Sequence, residues 1–127
     1  MIVVNSSDLQ ASERDASGPG WSSLRMLVKS DKVGFSMNKT ILKAGASLTL
    51  QYKNHLEGCY CVSGSGRVTD HATGEEHEIK QGVLYALDQH YHHTLMVNEG
   101  QDMFLISVFN PALQGDEVHA EDSSYSA

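Results

Sequence analysis

Side chains able to do chemistry gather in one stretch of this sequence, Gly45 to Gly64 (GASLTLQYKNHLEGCYCVSG). Tyr52, His55 and Glu57 stand close together there, between two apolar runs. A carboxylate in such a setting is costly to bury unless it is paired or binds a metal. The stretch is therefore either a solvated loop or part of a site. More imidazoles follow at His90, His92 and His93, around Tyr91. Near the end, Glu117 and His119 flank Val118. Proton transfer and metal coordination are the chemistries these residue types support.

The elements that must position them are short. LRMLV (24–28), VGFSM (33–37), TILKA (40–44), SLTLQY (47–52), CYCVS (59–63) and RVTDH (67–71) come first. HEIK (77–80), VLYAL (83–87), HHTLMV (92–97) and MFLISVF (103–109) follow. Gly turns join them, including Gly64-Ser65-Gly66. Regularly spaced short strands with Gly turns predict an all-β sandwich or barrel. Residues 1–4 (MIVV) read as a short edge strand. Residues 5–20 read as a loop, or a short helix around Asp8 to Arg14. After Pro111 the tail loses periodicity and turns acidic and Ser-rich.

At 127 residues the chain predicts one domain with a single core. It divides into an N-terminal segment of about 1–20, a barrel over 21–110 and a tail over 111–127. Net charge is −7 without a basic patch, which disfavours nucleic acid and anionic membranes as partners. The N-terminus lacks a basic region ahead of its apolar residues, unlike a signal peptide. The expected location is the cytoplasm, with Cys59 and Cys61 reduced. One residue apart on a strand, the two thiols point to one face and are poorly set for a disulfide. They read as buried free thiols, with Cys61 facing the barrel interior.

Two glycine frames then resemble the paired motifs of small cupin barrels. In the first, Gly45, Gln51, Lys53, Glu57 and Gly64 keep the spacing, with Gln51 and Lys53 where histidines usually stand. In the second, Gly74, Lys80, Gly82 and Tyr85 keep it, with Tyr85 in place of a metal histidine. Glu57 and Tyr85 thus occupy the two preserved ligand frames. An imidazole would come from His90, His92 or His93, and spacing leaves that choice open. Tyr85 as a plain core aromatic also remains open. A carboxylate, a phenolate and an imidazole suit Fe(II), Zn(II) or Mn(II).

Over nearly its whole length the chain resembles the ectoine synthase family. Trp21, Arg25, Gly34-Phe35-Ser36, Thr40, Tyr52 to Glu57, Tyr60-Cys61-Val62, Tyr85 to Asp88, His90, His93, Phe109-Asn110-Pro111, Glu117-Val118-His119 and Glu121-Asp122 carry the resemblance. It implies an all-β cupin, a small jelly-roll barrel with short helical segments and a C-terminal lid. It implies Glu57, Tyr85 and His93 as ligands of a divalent metal, Fe(II) in the first place. It selects His93 from its cluster and leaves His92 facing solvent. The implied substrate contacts are Trp21, Arg25, Thr40, Tyr52, His55, Phe109, Glu117 and His119. Tyr52, Glu117 and His119 are the implied proton carriers. Departures fall at Gly58-Cys59, where the family tends to have Ala-Val, and at Asp116, Ala120 and Ser123 in the tail.

The activity implied is a hydro-lyase reaction. N-γ-acetyl-L-2,4-diaminobutyrate closes on itself, loses water and becomes ectoine, a compatible solute. A homodimer formed through strand edges is expected, because pairing covers exposed backbone groups. The competing expectation is a non-catalytic metal-containing cupin that binds a small polar ligand.

Overall fold

A computed structural model describes residues 1–118. Ten strands run in order: β1 (Asp15–Gly18), β2 (Trp21–Leu27), β3 (Ser36–Leu42), β4 (Ser47–Leu50), β5 (Leu56–Ser63), β6 (Ser65–Asp70), β7 (Glu76–Lys80), β8 (Leu84–Leu87), β9 (His93–Val97) and β10 (Met103–Asn110). They form a six-stranded sheet, β1-β2-β3-β10-β5-β8, and a four-stranded sheet, β4-β9-β6-β7. All pairings are antiparallel. The expected all-β architecture is borne out.

Burial alternates along the strands, most regularly in β10, where Met103, Leu105, Ser107 and Phe109 face inward. This period of two is what a half-buried strand imposes. The inward residues form two apolar clusters. One packs Leu42, Cys61, Ile79, Leu95, Met103 and Leu105, among others. The other packs Leu50, Tyr52, Leu87, Phe109 and Leu113. Gly64 joins β5 to β6 at φ 86°, and a Cβ there would lie 2.6 Å from the Asp102 carbonyl oxygen. Only glycine makes this bend without strain.

Several expectations are corrected. Residues 1–4 form no strand and lie mostly exposed. Of the loop or short helix expected around Asp8 to Arg14, residues 10–14 are turns, and a 3₁₀ turn lies earlier, at Ser6–Leu9, capped by the Asn5 side chain accepting from the Ser7 N–H. β1 was not expected at all, because DASG carries no apolar alternation to announce it. The two runs read at 33–37 and 40–44 are one strand, β3. The three-residue turn read at 64–66 shrinks to Gly64 alone, because β6 already begins at Ser65.

Within the described part of the tail, Leu113 joins the core. Leu113 is fully buried, its N–H donates to Ser36 Oγ at 2.9 Å, and its carbonyl accepts from Lys29 N–H at 2.7 Å.

Candidate active site and metal centre

Strand register builds the site. Cross-strand partners on the six-stranded sheet line up as Arg25–Asn38–Ser107–Cys59–Tyr85, from β2 to β8. One step along, Ser36, Phe109, Glu57 and Leu87 form the next row. A step the other way lie Ser23, Thr40, Leu105 and Cys61. The opposing sheet contributes Leu48 and Leu50 from β4 and His93 and Leu95 from β9.

These rows enclose a cavity of about 40 Å³, lined among others by Trp21, Thr40, Tyr52, Glu57, Tyr85, His93 and Phe109. Seven residues singled out in the sequence are thus brought together. His55 lies at the same end, edge-on to Phe109 with ring centres 5.9 Å apart. Tyr52 also meets Phe109 edge-on at 5.2 Å, and its ring is 6.2 Å from that of His93. Arg25 is not a cavity wall. It is fully buried at the end of its row, where Nε donates to Ser23 Oγ at 3.0 Å and Nη2 to the Glu117 carbonyl at 2.8 Å. Glu117 pairs with Arg25 at 3.7 Å and accepts from the N–H groups of Gln114 and Gly115 at 2.6 and 2.7 Å. His119 lies outside the described residues.

The three candidate ligands differ in what holds them. Glu57 keeps some exposure as a residue, but its carboxyl lies deep enough that loss of water pushes its pKa up to about 8. Hydrogen bonds from Cys59 and Ser107 act in the opposite direction. Burial likewise pushes the Tyr85 phenol well above its ordinary range, with the Cys59 and Glu57 charges adding to it. His93 is almost fully buried, which lowers its pKa and favours the neutral imidazole. Its Nδ1 lies 3.0 Å from the Tyr91 carbonyl oxygen. Donation there fixes the tautomer and leaves Nε2 with a free lone pair, as a metal ligand requires. Of the three neighbouring histidines, His93 is the one that is buried and lines the cavity. His92 is exposed and stacks on His71 at 4.4 Å, and His90 Nδ1 is engaged by the Tyr52 carbonyl at 2.6 Å.

Two buried oxygen donors at raised pKa beside a neutral imidazole are the kind of set a divalent cation stabilises. Among the described residues no group of three or more His, Cys, Asp and Glu side chains is arranged to hold a metal ion. Glu57 and His93 are of those types, and Tyr85, which is not, lines the same cavity. The same cavity holds a further sign of an occupant. Asn38 is almost fully buried, and its Oδ1 has no hydrogen-bond partner among the described residues.

Asn38, Ser107 and Cys59 escaped the sequence reading. Their inward alternation on β3, β10 and β5 was the available indication. Cys59, rather than Cys61, lines the cavity. A wider recess of about 590 Å³ opens between β7 and β8, lined by Asp70, Glu75, Glu76 and Glu78, and reaches Tyr85 and His93 from outside.

Comparison with known proteins was made against this geometry. The family described as ectoine synthase matches residues 1–127. L-ectoine synthase from Hyphomonas neptunium is 47% identical over 127 residues, covering 100% of this chain and 94% of that protein. The enzyme from Alkalilimnicola ehrlichii is 48% identical over 125 residues, covering 98% and 94%. The crystal structure of ectoine synthase from P. lautus superposes with a TM-score of 0.88 at 38% identity, covering 100% and 91%. The polyketide cyclase RemF from Streptomyces resistomycificus, at 16% identity and a TM-score of 0.72 over 97% and 89%, shares the fold alone.

Proposed function

The chain belongs to the ectoine synthase family, and from that premise we propose that its cavity converts N-γ-acetyl-L-2,4-diaminobutyrate to ectoine with loss of one water. It is an enzyme of the hydro-lyase class with an all-β cupin fold. The observation that carries the cyclisation reading is the convergence of Glu57, Tyr85 and His93 with Trp21, Thr40, Tyr52 and Phe109 in one cavity. A family of this kind is consistent with a divalent metal, and Fe(II) is the ion we assign, with Zn(II) and Mn(II) as substitutes.

Glu57, Tyr85 and His93 would hold that ion. When bound, it supplies positive charge that polarises an amide carbonyl. The chain itself must do the rest. Trp21 and Phe109 form walls that hold the flexible substrate curled, and such orientation is worth on the order of 7–11 kcal/mol. Thr40, on the cavity wall, is the donor for the substrate carboxylate, and Arg25, held by Ser23 and Glu117 at the end of its row, adds a fixed positive charge. The α-ammonium must lose a proton before its nitrogen can attack. Glu117 and His119 are the proposed acceptors. His55, kept neutral by burial, stands within electrostatic reach of Glu117 and is a further one. The new C–N bond forms and the attacking nitrogen sheds a second proton; both protons return to the former carbonyl oxygen through Tyr52 or the same pair, and the C–O bond breaks to release water and leave the cyclic amidine.

Residues beyond the barrel take the role of a lid, excluding water from a reaction that expels it. The test is incubation of the metal-loaded protein with the acetylated diamino acid. Mass spectrometry should find a product lighter by one water; unchanged substrate would refute the reading.

A cytoplasmic homodimer completes the proposal. Buried free thiols support a reducing compartment. β8 is an edge strand, and Leu56, Tyr60 and Leu84 lie exposed on the outer face beside that edge. Covering them with a second copy would protect the edge. Among the described residues no helix is long and apolar enough to cross a membrane.

A further inference from the structure

Cys59 stands between Ser107 and Tyr85 in the row that starts at Arg25. It is 1% exposed, on the same face of β5 as Glu57, directly opposite Tyr85 on β8 and Ser107 on β10. Its sulfur lies 3.9 Å from Ser107 Oγ, and its side chain lines the same cavity as Glu57, Tyr85 and Asn38. The thiol thus sits on the cavity wall beside two of the three candidate ligands. Cys61, two residues on, contacts backbone carbonyls at Ser63 and Gly64 instead.

A carboxylate ligand has two equivalent oxygens and a free torsion, so something must choose which oxygen faces the ion. Hydrogen bonds from outside the ligand set commonly make that choice. We propose that Cys59 is a positioning residue of the metal centre: its S–H donates to one oxygen of Glu57, fixing the carboxylate with the other oxygen presented between Tyr85 and His93. Ser107 supports the same oxygen. This rests on the reading that Glu57, Tyr85 and His93 hold the ion. The role belongs to this chain in particular, because an aliphatic side chain at position 59 offers no donor.

Valine nearly matches cysteine in size without the donor, whereas serine keeps a donor in a smaller group. Full-length protein is stripped of metal with a chelator and titrated with Co(II) by calorimetry. Cys59→Val should bind Co(II) at least about tenfold more weakly than wild type. Cys59→Ser should stay within about threefold, as should Cys61→Val, which removes the neighbouring thiol only. Circular dichroism checks that each variant folds, and Cys59→Ala replaces Cys59→Val under the same thresholds should the latter not fold. Equal affinity in the donor-less variant, or serine as weak as valine, would overturn the inference and make Cys59 a packing residue. Wild type that binds no Co(II) at all would overturn the metal-centre reading beneath it.

Discussion

Glu57 carries an electrostatic cost of burial. In the folded protein its carboxyl holds its proton up to about pH 8, against an ordinary value of 4.5. Between those values the unfolded chain binds fewer protons than the folded one. Stability of the metal-free protein therefore falls as pH rises through that window, and the loss is complete above it. Melts of metal-stripped protein should give a higher Tm near about pH 5.5 than near about pH 8.5, and Glu57→Gln should flatten that difference. Metal binding answers the same cost with charge, so Glu57→Ala should lose both bound metal and cyclisation. A metal-replete, active Glu57→Ala protein would remove this residue from the site.

Among the elements, the start of the tail is part of the core and not only a cover over the barrel. A cut after Pro111 would remove Leu113, which fills the core beside Phe109 and is tied to Ser36. Leu113→Ala should cost about 2–5 kcal/mol of stability, read by denaturant unfolding. A cut after Val118 is the cleaner test of the lid. It leaves Leu113 and the Arg25–Glu117 pair in place and removes His119. That protein should melt close to the full chain yet cyclise little substrate. Undiminished turnover would show that the last residues neither close the site nor move a proton. β5 and β6 depend on Gly66 as well, because a Cβ there would press into the Met96 carbonyl. Gly66→Ala should accordingly lower the Tm.

At the scale of the molecule, the barrel and the proposed ligand frame were legible in the sequence because glycine spacing and alternation report directly on turns and faces. Glu57 and Tyr85 could be read from those frames. His93 could be separated from His90 and His92 only by the family resemblance, since its burial in the cavity wall exists only once β9 is paired into its sheet. The polar row Asn38–Ser107–Cys59 was not legible, because it exists only once the register of β3, β10 and β5 is set. Arg25 offered no sign of burial either; its partner Glu117 lies far along the chain. The exposed Leu84 beside the β8 edge predicts association, so light scattering should report a dimer that Leu84→Lys weakens. The most direct test of the central claim is a cyclisation assay on metal-stripped protein with Fe(II), Zn(II) and Mn(II) returned in turn. The account predicts that stripped protein leaves N-γ-acetyl-L-2,4-diaminobutyrate intact, and that Fe(II) restores loss of one water in wild type but not in Glu57→Ala. Full turnover by the stripped protein would contradict it.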